Sequence, residues 1–216
     1  MRNNNFKAKE VLELISALPY FSASVLFPVV KNKAYLKIIL SRYAKAGKII
    51  RLKRGMYVSK SYLDALEKKN KLSKYAEFVS GILYKTTYLS LEWVLHENNL
   101  LTESPKNFTA IALAKTATFS NELGNFFYHK IRCELFLGYI VSREDDLTIF
   151  KATPAKALFD FLYLRKNSLA DIGAMEELRL NLENLKEANW KELERYVKLE
   201  KSKKMRILFA NLKKIK

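Results

Sequence analysis

Three sets of residues have types and spacings that could do chemistry. His129 and Cys133 lie four apart, the separation that puts two metal ligands on one helical face. The surrounding FFYHKIRCELF favours strands, however, and two ligands fall short of a tetrahedral zinc site. Asp145, Asp146 and Asp160 could form an acidic set. The first two sit in a turn signal, and Asp160 follows Lys156 at the i, i+4 spacing of an ordinary helical ion pair. The six glycines form no phosphate-cradling loop, and no nucleophile is flanked by a recognisable base. These readings argue against an enzyme and yield no metal or cofactor site. The third set is cationic: Lys33, Ala34, Lys37, Ser41 and Lys45, followed by Arg51, Lys53 and Arg54. It mixes positive charge with side chains small enough to let a helix sit deep in the major groove of DNA, where Lys, Ser or a methyl group can read base edges.

The elements that must position this set lie between Asn32 and Val58. Asn32 is a good N-cap, and Leu36, Ile39, Leu40 and Tyr43 then recur at the i, i+3, i+4, i+7 spacing of an amphipathic helix. That face is core, which turns Lys33, Ala34, Lys37, Ser41 and Lys45 outward. Gly47 can take the left-handed conformation that ends a helix, with Lys45 and Lys48 beside the negative end of the dipole. Ile49, Ile50 and Leu52 then favour a strand, Lys53-Arg54-Gly55 a turn, and Met56-Tyr57-Val58 an antiparallel return. Arg51, Lys53 and Arg54 would ride this hairpin onto flanking phosphates. A helix followed by a basic hairpin is the ending of a winged helix-turn-helix. Two helices should precede it: one from about Lys7 to Leu18, ended by Pro19, and a short one from Ser22 or Ser24 through Val29, with Pro28 inside it.

Charge supports the same reading. The 216 residues carry a net charge of +17, and it is unevenly placed. Residues 1–60 hold 13 basic and 2 acidic residues, residues 61–189 hold 16 and 17, and residues 190–216 hold 10 and 3. Solubility alone would not vacate the middle of the chain, so both ends look adapted to an anionic partner, most simply double-stranded DNA. An alternative is an interaction module whose basic ends grip an acidic protein or RNA without operator recognition. The single cysteine excludes an internal disulfide. No apolar run approaches the roughly 20 residues needed to span a bilayer, and the N-terminus has no signal-peptide core, so a cytoplasmic protein without a membrane partner is expected.

The expected fold class is α+β in two domains. Residues 1–60 would be the winged helix-turn-helix domain, 61–74 a polar linker with room for an extra turn of helix at Tyr62, Leu63 and Leu66, and 75–216 a second α+β domain with an antiparallel sheet and C-terminal helices. In that domain Thr87 can cap a helix through YLSLEWVLHENN. Strands are predicted at Phe108–Leu113, Phe126–Ile131, Leu135–Val141 and Leu147–Phe150. Thr153 at N-cap and Pro154 at N1 open a helix through PAKALFDFLYLRK, and more helix follows at about Asp171–Leu185 and from Trp190 onward, the last of it basic and amphipathic.

Several segments together carry a family resemblance: RLKRGMYV after AKAGKI, then TYLSLEWVLHENNL, FTAIALAK and ATPAKALFDFLY, in that order. Over roughly residues 8–165 the chain resembles the antitoxins of AbiE-type (type IV) abortive-infection toxin-antitoxin systems and related transcriptional regulators. TYLSLEWVL and ATPAKALFD are the more distinctive segments; the winged-helix half is widespread. The resemblance implies an N-terminal winged helix joined to an antitoxin domain. It also implies repression of the protein's own operon through promoter DNA, and opposition to a nucleotidyltransferase-like toxin or to that toxin's target.

Overall fold

The computed structural model describes residues 10–169 and 171–215, and the chain is a mixture of helix and strand divided into two compact units. The first comprises residues 1–79 with 119–124 and 144–147; the second comprises 80–118, 125–143 and 148–216. The residues before Glu10, including the predicted start of the first helix at Lys7, lie outside the described residues.

In the first unit a helix α1 (residues 10–16) precedes a two-residue strand β1 (Phe21–Ser22) and a 3-10 turn at Ala23–Leu26. The predicted short α-helix through Val29 is therefore only this 3-10 turn, because Pro28 cannot donate the hydrogen bond that would extend it. Helix α2 (Lys33–Lys45) and the strands β2 (Ile49–Lys53) and β3 (Met56–Ser59) follow. The three strands form an antiparallel sheet in the order β1-β3-β2, with Phe21 opposite Tyr57 and their rings stacked 5.8 Å apart. Val11, Ile15, Phe21, Leu26, Leu36, Ile39 and Leu40 make one buried core.

The stretch 61–74, expected as a polar linker with an extra turn of helix at Tyr62, Leu63 and Leu66, holds most of one helix and the start of another. Ser59 caps α3 (Lys60–Lys68) by accepting from Tyr62 N at 3.1 Å, and Leu63 and Leu66 are buried. Helix α4 (Leu72–Leu83) begins after three intervening residues, and in it Tyr75, wholly buried, donates its hydroxyl to the carbonyl of Pro19 at 2.6 Å.

A six-stranded sheet in the order β6-β7-β5-β4-β9-β8 supplies the strands of the second unit, comprising β4 (Thr87–Leu89), β5 (Phe108–Ala112), β6 (Ala117–Asn121), β7 (Gly124–Lys130), β8 (Tyr139–Glu144) and β9 (Leu147–Ala152), although residues 119–124 and 144–147 of it group with the first unit. It is mixed, not antiparallel as expected: β4 pairs antiparallel with β5, but β4–β9 and β5–β7 are parallel. Residue patterning marks strands, whereas pairing direction depends on connections that it does not encode. Thr87 does not cap a helix. It starts β4, and Ser90 occupies the N-cap of the shorter α5 (Leu91–Glu97). The predicted strand at Leu135 starts later, because Cys133–Leu135 is a 3-10 turn.

After the sheet come α6 (Pro154–Arg165), α7 (Ile172–Glu176), a 3-10 turn at Leu182–Asn184, α8 (Glu187–Glu200) and α9 (Lys203–Lys214). Thr153 Oγ1 accepts from Lys156 N at 3.1 Å and Pro154 occupies N1, as the sequence predicts. Every residue of α6 from Ala155 to Leu162 is buried, which makes it the central helix of this unit.

Candidate nucleic-acid interface

Helix α2 owes its limits to two local devices. At its start Asn32 Oδ1 accepts from the backbone N–H groups of Ala34 and Tyr35, both at 3.0 Å. At its end Gly47 adopts φ +65°, the Lys48 N–H reaches the Tyr43 carbonyl at 2.9 Å, and the Gly47 N–H reaches Ala44 at 3.1 Å. These two bonds are a Schellman closure, which needs a left-handed residue at Gly47. Leu36, Ile39, Leu40 and Tyr43 are buried and Tyr35 packs partly against the same core, so the opposite surface of the helix faces outward.

Lys33, Ala34, Lys37, Ser41 and Lys45 are all exposed. The structure adds two residues that the sequence reading passed over. Ile38, 48% exposed, completes a stripe of Ala34, Ile38, Ser41 and Lys45 along the outer face, and Arg42 flanks it. Ile38 sits outside the apolar arc of the helix, a signal legible from spacing alone. Lys33 lies at the edge of the face, with Nζ 5.5 Å from the Phe27 ring centroid.

The hairpin carries the other cations. Ile50 faces Val58, Arg51 faces Tyr57, and a register shift between Arg51 and Lys53 leaves Lys53 opposite Met56. Gly55 takes φ +79° in the two-residue turn, a conformation that costs a side-chain-bearing residue about 1–2 kcal/mol. Arg51 and Arg54 are exposed and Lys53 is half-buried. Asn121 Nδ2 donates to the Leu52 carbonyl at 3.1 Å, bracing β2. Between Glu13 and Asp64 the chain contains no acidic residue. Among the described residues, Lys37, Arg42, Lys45, Arg51 and Arg54 have no carboxylate partner. This face therefore keeps a one-signed positive charge that the chain's own carboxylates do not neutralise.

The acidic and histidine candidates are arranged otherwise. Asp160 does pair with Lys156 as the spacing suggests, but both side chains are wholly buried. Asp160 also accepts from Ser90 Oγ at 2.8 Å and Tyr88 Oη at 3.1 Å. Burial pushes the Lys156 ammonium below and the Asp160 carboxyl above their usual ranges, and their pairing opposes both shifts. Asp145, by contrast, belongs to the first unit. It sits in the β8–β9 turn at φ +52° and pairs with Lys71 at 2.7 Å. His129 lies on β7 and Cys133 in the 3-10 turn beyond it, and among the described residues no three His, Cys, Asp or Glu side chains converge as metal ligands.

A cleft of about 1130 Å³ opens beside β5 and β7, floored by Thr109, Phe127, His129 and Phe161. Arg165 spans it, donating to Glu92 while its guanidinium lies 3.8 Å from the Phe161 ring centroid. Burial lowers the pKa of His129; Glu92 opposes that shift and Arg165 adds to it. Glu92 and Arg165 are 73 residues apart, so no sequence signal joins them. The rim cations Lys106 and Arg179 are offset by Glu103 and Glu177, so the cleft lacks the one-signed charge of the α2 face.

No protein-family model matches this chain, and no curated protein matches it. No helix is long and apolar enough to cross a membrane among the described residues.

Proposed function

We propose that the first unit is a winged helix-turn-helix that binds duplex DNA, with α2 in the major groove and the β2–β3 hairpin as the wing. The observation that carries this reading is the exposed, acid-free face of α2 and the hairpin, whose side chains are cationic or small. Lys37, Ser41, Ala34 and Ile38 would meet base edges, Ile38 as an apolar contact to a thymine methyl, and Arg51, Lys53 and Arg54 would hold phosphates. Lys33 and Lys45 lie at the two ends of the helix and extend the phosphate contacts.

The protein then acts as a transcriptional regulator of its own operon. The resemblance to AbiE-type antitoxins supplies the rest of the proposal: the second unit opposes a nucleotidyltransferase-like toxin, by contact or through its target. A nucleotidyltransferase reading frame beside this gene would support that half.

The test uses the full chain and its own promoter. Arg51→Ala and Arg54→Ala should weaken binding to all duplexes alike and flatten the dependence of log K on log salt by about 0.9 per lost contact. Lys37→Ala should relax preference at particular base pairs, by about 1–3 kcal/mol. Promoter DNA bound no better than random duplex or structured RNA would refute operator recognition and favour an RNA- or protein-binding module. The Arg51→Ala/Arg54→Ala protein, expressed from an unrelated promoter, should still relieve growth inhibition by the toxin. Point variants are the better tool here, because residues 119–124 and 144–147 group with the first unit and a cut near residue 75 would strip them of partners.

A further inference from the structure

Helix α9, KKMRILFANLKK, has two faces of opposite character. Met205, Leu208, Phe209 and Leu212 are buried, so its apolar face is already spent on the core of the second unit. The outward face presents Lys203, Arg206, Ile207, Ala210, Lys213 and Lys214, all exposed, and the helix has no acidic residue. Lys203 and Lys204 occupy its first turn, where the helix dipole disfavours cations and an Asp or Glu would be locally preferred. Ser202 supplies the cap, its Oγ accepting from Met205 N at 3.2 Å. Neither lysine gains from the dipole of the helix it begins.

Nor are they neutralised nearby. Lys213 lies 4.0 Å from Glu194, which is already paired with Lys198 at 2.8 Å. Lys204 donates to the neutral Asn167 Oδ1 at 2.9 Å. Among the described residues, Lys203, Arg206 and Lys214 have no carboxylate partner. Glu200, at the corner before α9, is nearly buried and accepts from Lys166 Nζ at 2.7 Å and Ser202 N at 2.8 Å. Its charge is used inward, leaving Lys201 and Lys203 exposed.

We propose that the outward face of α9 is a second nucleic-acid surface, which holds the phosphate backbone of duplex DNA independently of the α2 face. Lys203 and Lys214 are separated by eleven residues, about 16 Å along the axis, a span that reaches several phosphates. A membrane-surface role would need the apolar face of the helix, which is buried. Single strands are gripped by aromatic stacking, and the one aromatic residue of α9, Phe209, is turned inward. An acidic protein would bury an apolar or aromatic centre, where this face offers only Ile207. Lysine and arginine at backbone spacing carry charge without base readout, so this surface adds affinity and not sequence preference.

The experiment uses the full chain with the first surface disabled by Lys37→Ala, Arg51→Ala and Arg54→Ala. This protein should retain salt-dependent binding to a random-sequence duplex. Adding Lys203→Gln, Arg206→Gln and Lys214→Gln should flatten the salt slope by about 0.9 per contact and remove the residual binding. In the otherwise native chain the same triple replacement should flatten the slope equally while leaving promoter-over-random preference intact. That preference belongs to the α2 face, so failure of one surface is distinguishable from failure of the other. The idea is overturned if the triple replacement leaves duplex binding unchanged in both backgrounds. It is equally overturned if the replacement abolishes capture of poly-glutamate while duplex binding persists, which would assign the face to an acidic protein. Circular dichroism identical to the parent's would show that the exposed replacements leave the fold intact.

Discussion

Asp160→Ala should be among the most damaging single changes in the second unit. The substitution leaves the Lys156 ammonium with no carboxylate at a site where its side chain has no exposure. Removing one member of a buried ion pair costs about 3–5 kcal/mol. The Ser90 and Tyr88 hydroxyls also lose their acceptor, and each buried unpaired group adds about 1–3 kcal/mol unless it finds another. Two responses limit the total. The ammonium already lies over the rings of Tyr88, Phe159 and Tyr196, at 5.7, 4.7 and 5.5 Å from their centroids, and burial lets it shed its proton. A loss of about 5 kcal/mol is therefore expected, a large part of the 5–15 kcal/mol typical of a folded domain.

Lys156→Met should cost less. Methionine keeps most of the stem packed against those rings, and Asp160 can go neutral by binding a proton while its two hydroxyl partners remain. Without Lys156, the Asp160 carboxyl is held above its unfolded pKa by burial, so the folded state binds the proton more tightly than the unfolded one. That stability is fully present below the unfolded pKa of about 3.9 and is lost as pH rises toward the folded value. Lys156→Met should therefore recover toward wild type on acidification. Trp93 and Trp190 are the only tryptophans and both lie in the second unit, so urea unfolding followed by tryptophan fluorescence reads this unit alone. A loss under about 1 kcal/mol for Asp160→Ala, or an equal deficit for Lys156→Met at pH 5 and pH 8, would refute the reasoning.

Two further changes probe the backbone. Asn32→Ala removes the acceptor for two N–H groups at the start of α2 and should cost about 0.5–2 kcal/mol, read as faster hydrogen exchange in that helix; unchanged protection would show that the cap is dispensable. Gly138→Ala should destabilise the second unit and lower its fluorescence-detected midpoint. Gly138 sits at φ +77°, and an added Cβ would lie 2.8 Å from Tyr196 Cζ and 3.1 Å from Lys156 Cδ, so a midpoint like the parent's would mean that Tyr196 moves aside freely.

What the sequence determined by itself is what neighbouring residues decide. Asn32 as cap, Gly47 as stop, the hairpin around Gly55 and the Thr153-Pro154 helix start each depend on hydrogen bonds or φ values within a few residues, and each is where the spacing puts it. The outward position of Lys33, Ala34, Lys37, Ser41 and Lys45 follows in the same way, from the burial of Leu36, Ile39, Leu40 and Tyr43 opposite them. Strand β1 is different: two residues make a strand only because β3 lies beside them, and nothing in Phe21-Ser22 announces it. Thr87 shows the same limit, since a good capping residue became the first residue of a strand once β5 and β9 flanked it. The Lys156–Asp160 spacing suits a solvated helix face as well as a buried one. Only the packing of the second unit around every side of α6 turned an ordinary surface pair into a buried charge network. Side-chain spacing fixes which residues share a face, but what covers that face depends on contacts between residues distant in the chain.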